Sequence, residues 1–376
     1  MRSALFLFLG FVVSGVSVSP VFVFPPPVSE DVSVRVVASG GWCVDPVFSP
    51  DGKFVAYSSN ASGGFDIWLV DVGGRGGVRV TYLEGDERGP QFSPDGRWIA
   101  FIHEYDGEED IFLFDRLSLN LVKLTDSGAQ KGTFEWSPRG GLLVYDMFCN
   151  GRWGVWVTAV GSGVGWHVGG EGECYDPSWS SDGRFIACVG REAENHTLQI
   201  IDVLTQETKH LYSASYVIKQ PRFSNNNTRI IFLQNSSNGW SIYGFNLLTG
   251  EVSNLLKAPP GGLITPPWKP TITDECRIRP RPNAGEILFN RYSAKSVADL
   301  FLIMENAPIL VSAGAFDIQF WGTKIERLTE GYDRIIDVVW SKDGSTLTFA
   351  AVDDRMLGKI MLQQYVEVKV VSVYGR

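Results

Sequence analysis

Short apolar runs recur along the chain between turns rich in Gly, Asp and Asn. Phe48, Phe92, Trp136, Trp179, Phe223, Trp268 and Trp340 each close such a run, and the first six stand 43 to 45 residues apart. Turn sequences follow them: Ser-Pro-Asp-Gly at 49–52 and 93–96, Ser-Pro-Arg-Gly at 137–140, Ser-Ser-Asp-Gly at 180–183, Ser-Asn-Asn-Asn at 224–227 and Ser-Lys-Asp-Gly at 341–344. Asp, Asn and Gly tolerate the positive φ that tight hairpins demand. Period-two and fully apolar runs of this length mark strands. Self-similarity at about 44 residues marks a repeat architecture of sheets.

Each repeat reads as four strands. The aromatic ends an inner strand A. Strand B follows at Phe54–Tyr57, Trp98–Ile102, Leu142–Tyr145, Phe185–Val189 and Ile230–Leu233. Strand C follows at Asp66–Val70, Asp110–Phe114, Gly154–Val157, Leu198–Ile201 and Ser241–Phe245, often ending in an Asp or Asn that can hold the next turn. Strand D centres on Val80, Leu124, Val168, Leu211, Leu255 and Leu328. Val36 lies 44 residues before Val80. Residues 32–38 therefore read as a strand D without its own A, B and C, ready to complete the last sheet. The pattern predicts an all-β, seven-bladed β-propeller of four-stranded antiparallel blades, closed by this N-terminal strand. Six blades is the alternative count. Closure covers sheet edges that would otherwise stay open.

Two insertions break the period. Thr271–Gly285 is expected to lengthen the A–B turn of blade six after Trp268. The apolar run Asp299–Ala315 is expected as an extra hairpin, covering an edge or meeting a partner, before a C strand at Phe316–Trp321. Near the end, Lys359–Tyr365 or Val366–Val373 supplies the last strand C.

The 44% of apolar residues among 376 suffices for a core, and 20% charged residues is too few for a disordered chain. A net charge of −9 argues against nucleic-acid binding, which needs a basic face. Residues 1–24 carry Arg2, the apolar run Ala4–Val13 and small residues at 14–19, the layout of a signal peptide or, uncleaved, an N-terminal membrane anchor. Pro25–Pro27 stiffens a linker over 25–31, and the propeller occupies 32–376. The expected location is extracytoplasmic.

The Phe/Trp-Ser-Pro-Asp-Gly-Lys/Arg-x-Ile/Val-Ala-Phe/Tyr pattern, nearly complete at Phe48–Tyr57 and Phe92–Phe101, resembles the TolB-like propeller repeat, a relative of WD repeats. The resemblance implies a propeller used as a binding scaffold. Prolyl-oligopeptidase-type peptidases carry similar propellers beside a hydrolase domain, but no Gly-x-Ser-x-Gly elbow stands in this sequence. Some seven-bladed polysaccharide lyases are also similar, with a His-rich metal site.

His103, His167, His196 and His210 share no common position in the repeat, so no metal centre and no cofactor is expected. Cys43 and Cys174 occupy equivalent positions on opposite blades. Cys149 and Cys174, in neighbouring loops, are the candidate disulfide of an exported chain. Asn60, Asn195, Asn226 and Asn235 head glycosylation sequons in predicted loops or turns.

In this architecture the D–A and B–C loops share one face, and the D–A loops ring the channel mouth. They carry Trp42 and Asp45; Asp86, Glu87 and Arg88; Gln130 and Lys131; Glu173, Tyr175 and Asp176; Tyr216, Lys219 and Gln220; Tyr332, Asp333 and Arg334. Aromatic side chains beside Arg and Lys are what interfaces favour. Trp42, Asp45, Arg88, Lys131, Tyr175, Lys219, Tyr332 and Arg334 are therefore the candidate binding residues. The expected partner is a protein or peptide at the cell envelope, with carbohydrate a further ligand class. The rival expectation is a polysaccharide lyase or glycosidase using a close pair among the mouth carboxylates.

Overall fold

The A–B hairpins show how the sequence sets the strands. Ser49 Oγ donates to Asp51 Oδ1 and accepts from the Phe54 N–H, while the Gly52 N–H donates to the Ser49 carbonyl. Gly52, Gly96 and Gly183 sit at φ near +70°, and Asn227 takes the equivalent place at +53°. Ser93, Ser180, Ser224 and Ser341 repeat the bond to the residue two positions on. Blade three departs. Arg139 stands where the acid should be, and the Ser137 hydroxyl is buried without a partner. Arg139→Asp restores the missing acceptor and is expected to stabilise the fold by about 1 kcal/mol, read from urea unfolding. The Asp or Asn closing strand C also acts as expected: Asp115, Asp202 and Asn246 accept the N–H of Leu117, Leu204 and Leu248.

The computed structural model describes residues 34–39, 41–73, 77–170, 172–236, 240–256, 278–280, 287–292, 298–313, 316–327, 334–343, 346–352 and 358–364. Among them are seven antiparallel sheets of four strands each. The inner strands are Cys43–Phe48, Asp86–Phe92, Lys131–Trp136, Glu173–Trp179, Ile218–Phe223, Ile278–Pro280 and Arg334–Trp340. Each contacts the next, and Arg334–Trp340 contacts Cys43–Phe48, which closes the ring. Val34–Ser39 pairs antiparallel with Gly358–Gln364 and completes the seventh sheet, with Val36 opposite Met361. The N-terminal strand thus takes the place the repeat phase assigns to it. Gly358–Gln364 is strand C of that sheet, and residues 366–373 lie outside the described residues.

The core lies between blades. Trp136 shares a buried cluster with Ala100, Ile111 and Leu113 of the preceding sheet, and Trp179 with Val144, Val155 and Val157. Phe48 packs with Ala38 and Ala350 of the seventh sheet. Sheets stacked face to face bury both faces of strand B, which explains its near-continuous apolar sequence.

Three expectations are corrected. Strand A of blade six is Ile278–Pro280, and Trp268 lies outside the described residues. The apolar run is no extra hairpin: Ala298–Ala313 is strand C itself, 16 residues long, paired with a strand D at Phe316–Arg327. The polar interruption at Met304–Ala307 is absorbed as a register shift, so the strand continues through it instead of turning back. The disulfide joins Cys174 to Cys188, and Cys149 is free and half-buried. Both bonded cysteines lie on adjacent strands of blade four, with Cα atoms 6.2 Å apart.

Candidate functional site

The channel mouth is built by a bulge repeated on the inner strands. Register shifts fall between Val44 and Val47, Arg88 and Gln91, Lys131 and Phe134, Tyr175 and Ser178, and Lys219 and Arg222. The extra residue takes positive φ at Asp45, Gly89, Asp176 and Gln220. Asp45 Oδ2 accepts the Gly89 N–H at 3.0 Å, and Asp176 Oδ2 accepts the Gln220 N–H at 2.8 Å. Between them, Asp146 accepts the N–H groups of Thr133 and Asp176. Asp45 and Asp176 therefore stitch neighbouring blades together. Burial, with the Asp176 charge nearby, pushes the Asp146 carboxyl up to about 7.

Five residues at the start of the inner strands, each five positions before its aromatic anchor, point between blades: Cys43, Glu87, Lys131, Cys174 and Ile218, all buried. Lys131 does not reach solvent. Its Nζ donates to the Glu109 carbonyl at 2.5 Å, the Ala129 carbonyl at 2.7 Å, Ser127 Oγ at 2.9 Å and Asp110 Oδ1 at 3.3 Å. Arg88 is tied to Glu109 at 2.5 Å. Glu87 is also fully buried; Thr81 Oγ1 lies 3.0 Å from its Oε2.

Among the described residues Trp42, Tyr175 and Lys219 stand where their inner strands begin. The Trp42 N–H donates to Asn60 Oδ1 at 2.7 Å. The Tyr175 hydroxyl meets His196 Nδ1 at 2.8 Å. Lys219 Nζ lies 5.7 Å from the Trp240 ring centre. Arg334 opens the inner strand of blade seven opposite Val352, while Tyr332 and Asp333 lie outside the described residues. The histidines stay dispersed, His103 on the Glu84 carbonyl and His210 on Glu192. Among the described residues no three His, Cys, Asp or Glu side chains gather as metal ligands.

What the face offers to solvent differs from the aromatic-plus-basic set that the loops suggest. Tyr82 (68% exposed), Tyr105 (52%), Tyr216 (48%) and Phe148 (40%) stand out on the D–A and B–C loops. Around them are exposed carboxylates: Glu84, Asp86, Glu104, Asp106, Glu108, Glu192 and Glu194. Among the described residues the face is aromatic and mainly acidic, with Arg152 and Arg191 exposed beside the carboxylates. Tyr105 and Phe148 were hidden because they occupy strand ends at B–C turns, but the Glu-Tyr-Asp triplet at 104–106 is the signal that could have found the first.

The TolB beta propeller domain family matches residues 31–272, well over half of the chain. The chain belongs to that family. Among solved structures, this TolB-type propeller is similar to oligogalacturonate lyase from Vibrio parahaemolyticus, at 12% identity over 91% of this chain and 96% of that one, TM-score 0.59. The β-propeller domain of the Trilobed protease from Pyrococcus furiosus is similar at 13% identity over 90% and 99%, TM-score 0.59. TolB from Acinetobacter baumannii is 22% identical over 57% of this chain and 54% of that one, TM-score 0.48, so the TolB-type propeller spans about half of its length. A search among curated proteins finds no match. At such identities the likeness is one of fold, and function has to be argued from the site.

Proposed function

We propose that this TolB-type propeller is an exported, non-catalytic scaffold whose D–A and B–C loop face binds a protein or peptide segment bearing basic residues. One observation carries the reading: four exposed aromatic side chains stand among carboxylates on one face of a rigid ring. Tyrosines bury large area at small entropic cost, and clustered carboxylates attract Lys and Arg. The family supports a scaffold role. The N-terminal apolar segment and the Cys174–Cys188 disulfide support an oxidising compartment outside the cytoplasm. The rival enzymatic reading has less support, because the mouth carboxylates Asp45, Asp146 and Asp176 already accept backbone N–H groups between blades.

The test is affinity capture from envelope extract with three proteins. Wild type and a Leu117→Ser, Leu204→Ser, Leu248→Ser control, altered on the opposite C–D turns, are expected to recover the same partner, released by rising salt. Tyr82→Ser, Tyr105→Ser, Tyr216→Ser should lose it. Equal recovery by all three proteins overturns the assignment of this face.

A further inference from the structure

The opposite mouth of the channel, where the A–B turns lie, carries a separate feature. The residues just before the aromatic anchors form a second inter-blade sequence: Gln91, Glu135, Ser178 and Arg222. Gln91 reaches forward to blade three, donating from Nε2 to the Phe134 carbonyl at 2.5 Å, and its own carbonyl accepts the Trp136 indole N–H at 3.2 Å. Glu135 repeats this toward blade four: Oε2 accepts the Trp179 N–H at 3.3 Å and its carbonyl accepts the Trp179 indole N–H at 3.2 Å. The sequence then breaks. Phe223 has no indole N–H to give, and among the described residues Ser178 makes no such reach. Arg222, half-buried, turns one guanidinium nitrogen back to the Pro221 carbonyl at 3.1 Å.

A cavity of about 230 Å³ opens where the sequence breaks, lined by Glu135, Ser178, Trp179, Ser181, Arg222 and Phe223. Packing does not require an arginine here, since the equivalent positions hold Val47, Gln91, Glu135, Ser178 and Val339. A guanidinium presents several donors in a planar fork that matches a carboxylate. Glu135 on the same cavity makes it bipolar, negative at one wall and positive at another.

From this we infer that the cavity binds an α-amino-acid unit with a free carboxylate, the carboxylate on Arg222 and the amino or amide N–H toward Glu135. A free amino acid and the C-terminal residue of a peptide share this chemistry. The site lies on the face opposite the proposed partner surface and does not depend on it.

Calorimetric titration of the full chain tests the inference with three probes: acetyl-Ala-Ala-Ala as the free acid, the same peptide as its C-terminal amide, and free alanine. The free-acid peptide is expected to bind, and its amide to bind about tenfold more weakly or worse, the loss of one charge-assisted pair. Binding of alanine as well identifies the small molecule as sufficient; binding of the peptide alone identifies a chain terminus. Arg222→Gln should weaken the acid by a similar factor, whereas Arg191→Gln, exposed on the other face, should not. Failure of both acids to bind, equal binding of acid and amide, or an unaffected Arg222→Gln overturns the inference. If Arg222→Gln does not fold, the acid and amide on wild type decide alone. The tyrosine triple variant should keep the peptide site, which separates this test from that of the partner face.

Discussion

Replacing Lys131 with methionine is expected to lower the unfolding free energy by about 3–5 kcal/mol, the cost of breaking a buried ion pair from one side. Methionine keeps most of the volume, so a cavity contributes little to the loss. What disappears is the ammonium. The carbonyls of Glu109 and Ala129 then lose their donor, and Asp110 loses one of its cations while keeping Lys123, Thr125 and the Ser127 N–H. A buried carbonyl without a partner costs about 1–3 kcal/mol, so the Glu109 carbonyl supplies part of the expected range, and the half-buried Ala129 carbonyl and the loss at Asp110 supply the rest. Urea unfolding of the full chain reads the difference. A loss below about 1 kcal/mol, the scale of a surface ion pair, would show that the cage contributes nothing net.

This prediction also marks where the sequence stopped being readable. The blades were legible because turn chemistry and anchor spacing repeat, and both act locally. The closing strand was legible for the same reason, since Val36 keeps the phase of Val80. Lys131 was not: a lysine in a predicted loop ordinarily reads as exposed. Its place in the repeat, in line with Cys43, Glu87 and Cys174, is what signals an inter-blade position, and that signal is available from the period alone. Cys188 escaped notice because its partner is set by the diagonal across two strands rather than by any spacing motif. The apolar stretch at 298–313 was misread because its length exceeds that of the other strands, and the period gives no guide inside an insertion. Tyr82 and Tyr105 escaped because single exposed aromatics carry no periodicity; their shared face exists only once the ring is closed.

The strongest pH dependence is expected one blade away from Lys131, at the equivalent position Glu87. There a carboxyl, rather than an ammonium, meets the aspartate of strand C. Asp66 is nearly fully buried and holds Arg79 at 2.6 Å. Glu87 Oε2 has Thr81, but Oε1 is buried with no donor. A proton on Glu87 removes one of two neighbouring negative charges and can be shared with Asp66. Burial first, and the Asp66 charge as well, push the Glu87 carboxyl up to about 8, against the lowering effects of Thr81 and Arg79. The sign follows from linkage. In the unfolded chain Glu87 releases its proton near its ordinary value of 4.5, so between 4.5 and about 8 the native state holds a proton that the unfolded state does not. This contribution is complete below 4.5 and is lost as pH rises through about 8. Its size is on the order of 5 kcal/mol, each pKa unit being worth about 1.4. Asp146, raised for the same reason, adds a slope of the same sign up to about 7. Glu87→Gln separates the two: the amide can donate toward Asp66 and accept from Thr81, and it does not titrate. Urea unfolding at pH 5 and at pH 9 should show wild type losing several kcal/mol more than Glu87→Gln over that interval. Parallel losses in the two proteins would mean that Glu87 is already ionised in the folded ring, and that Arg79 neutralises both carboxylates.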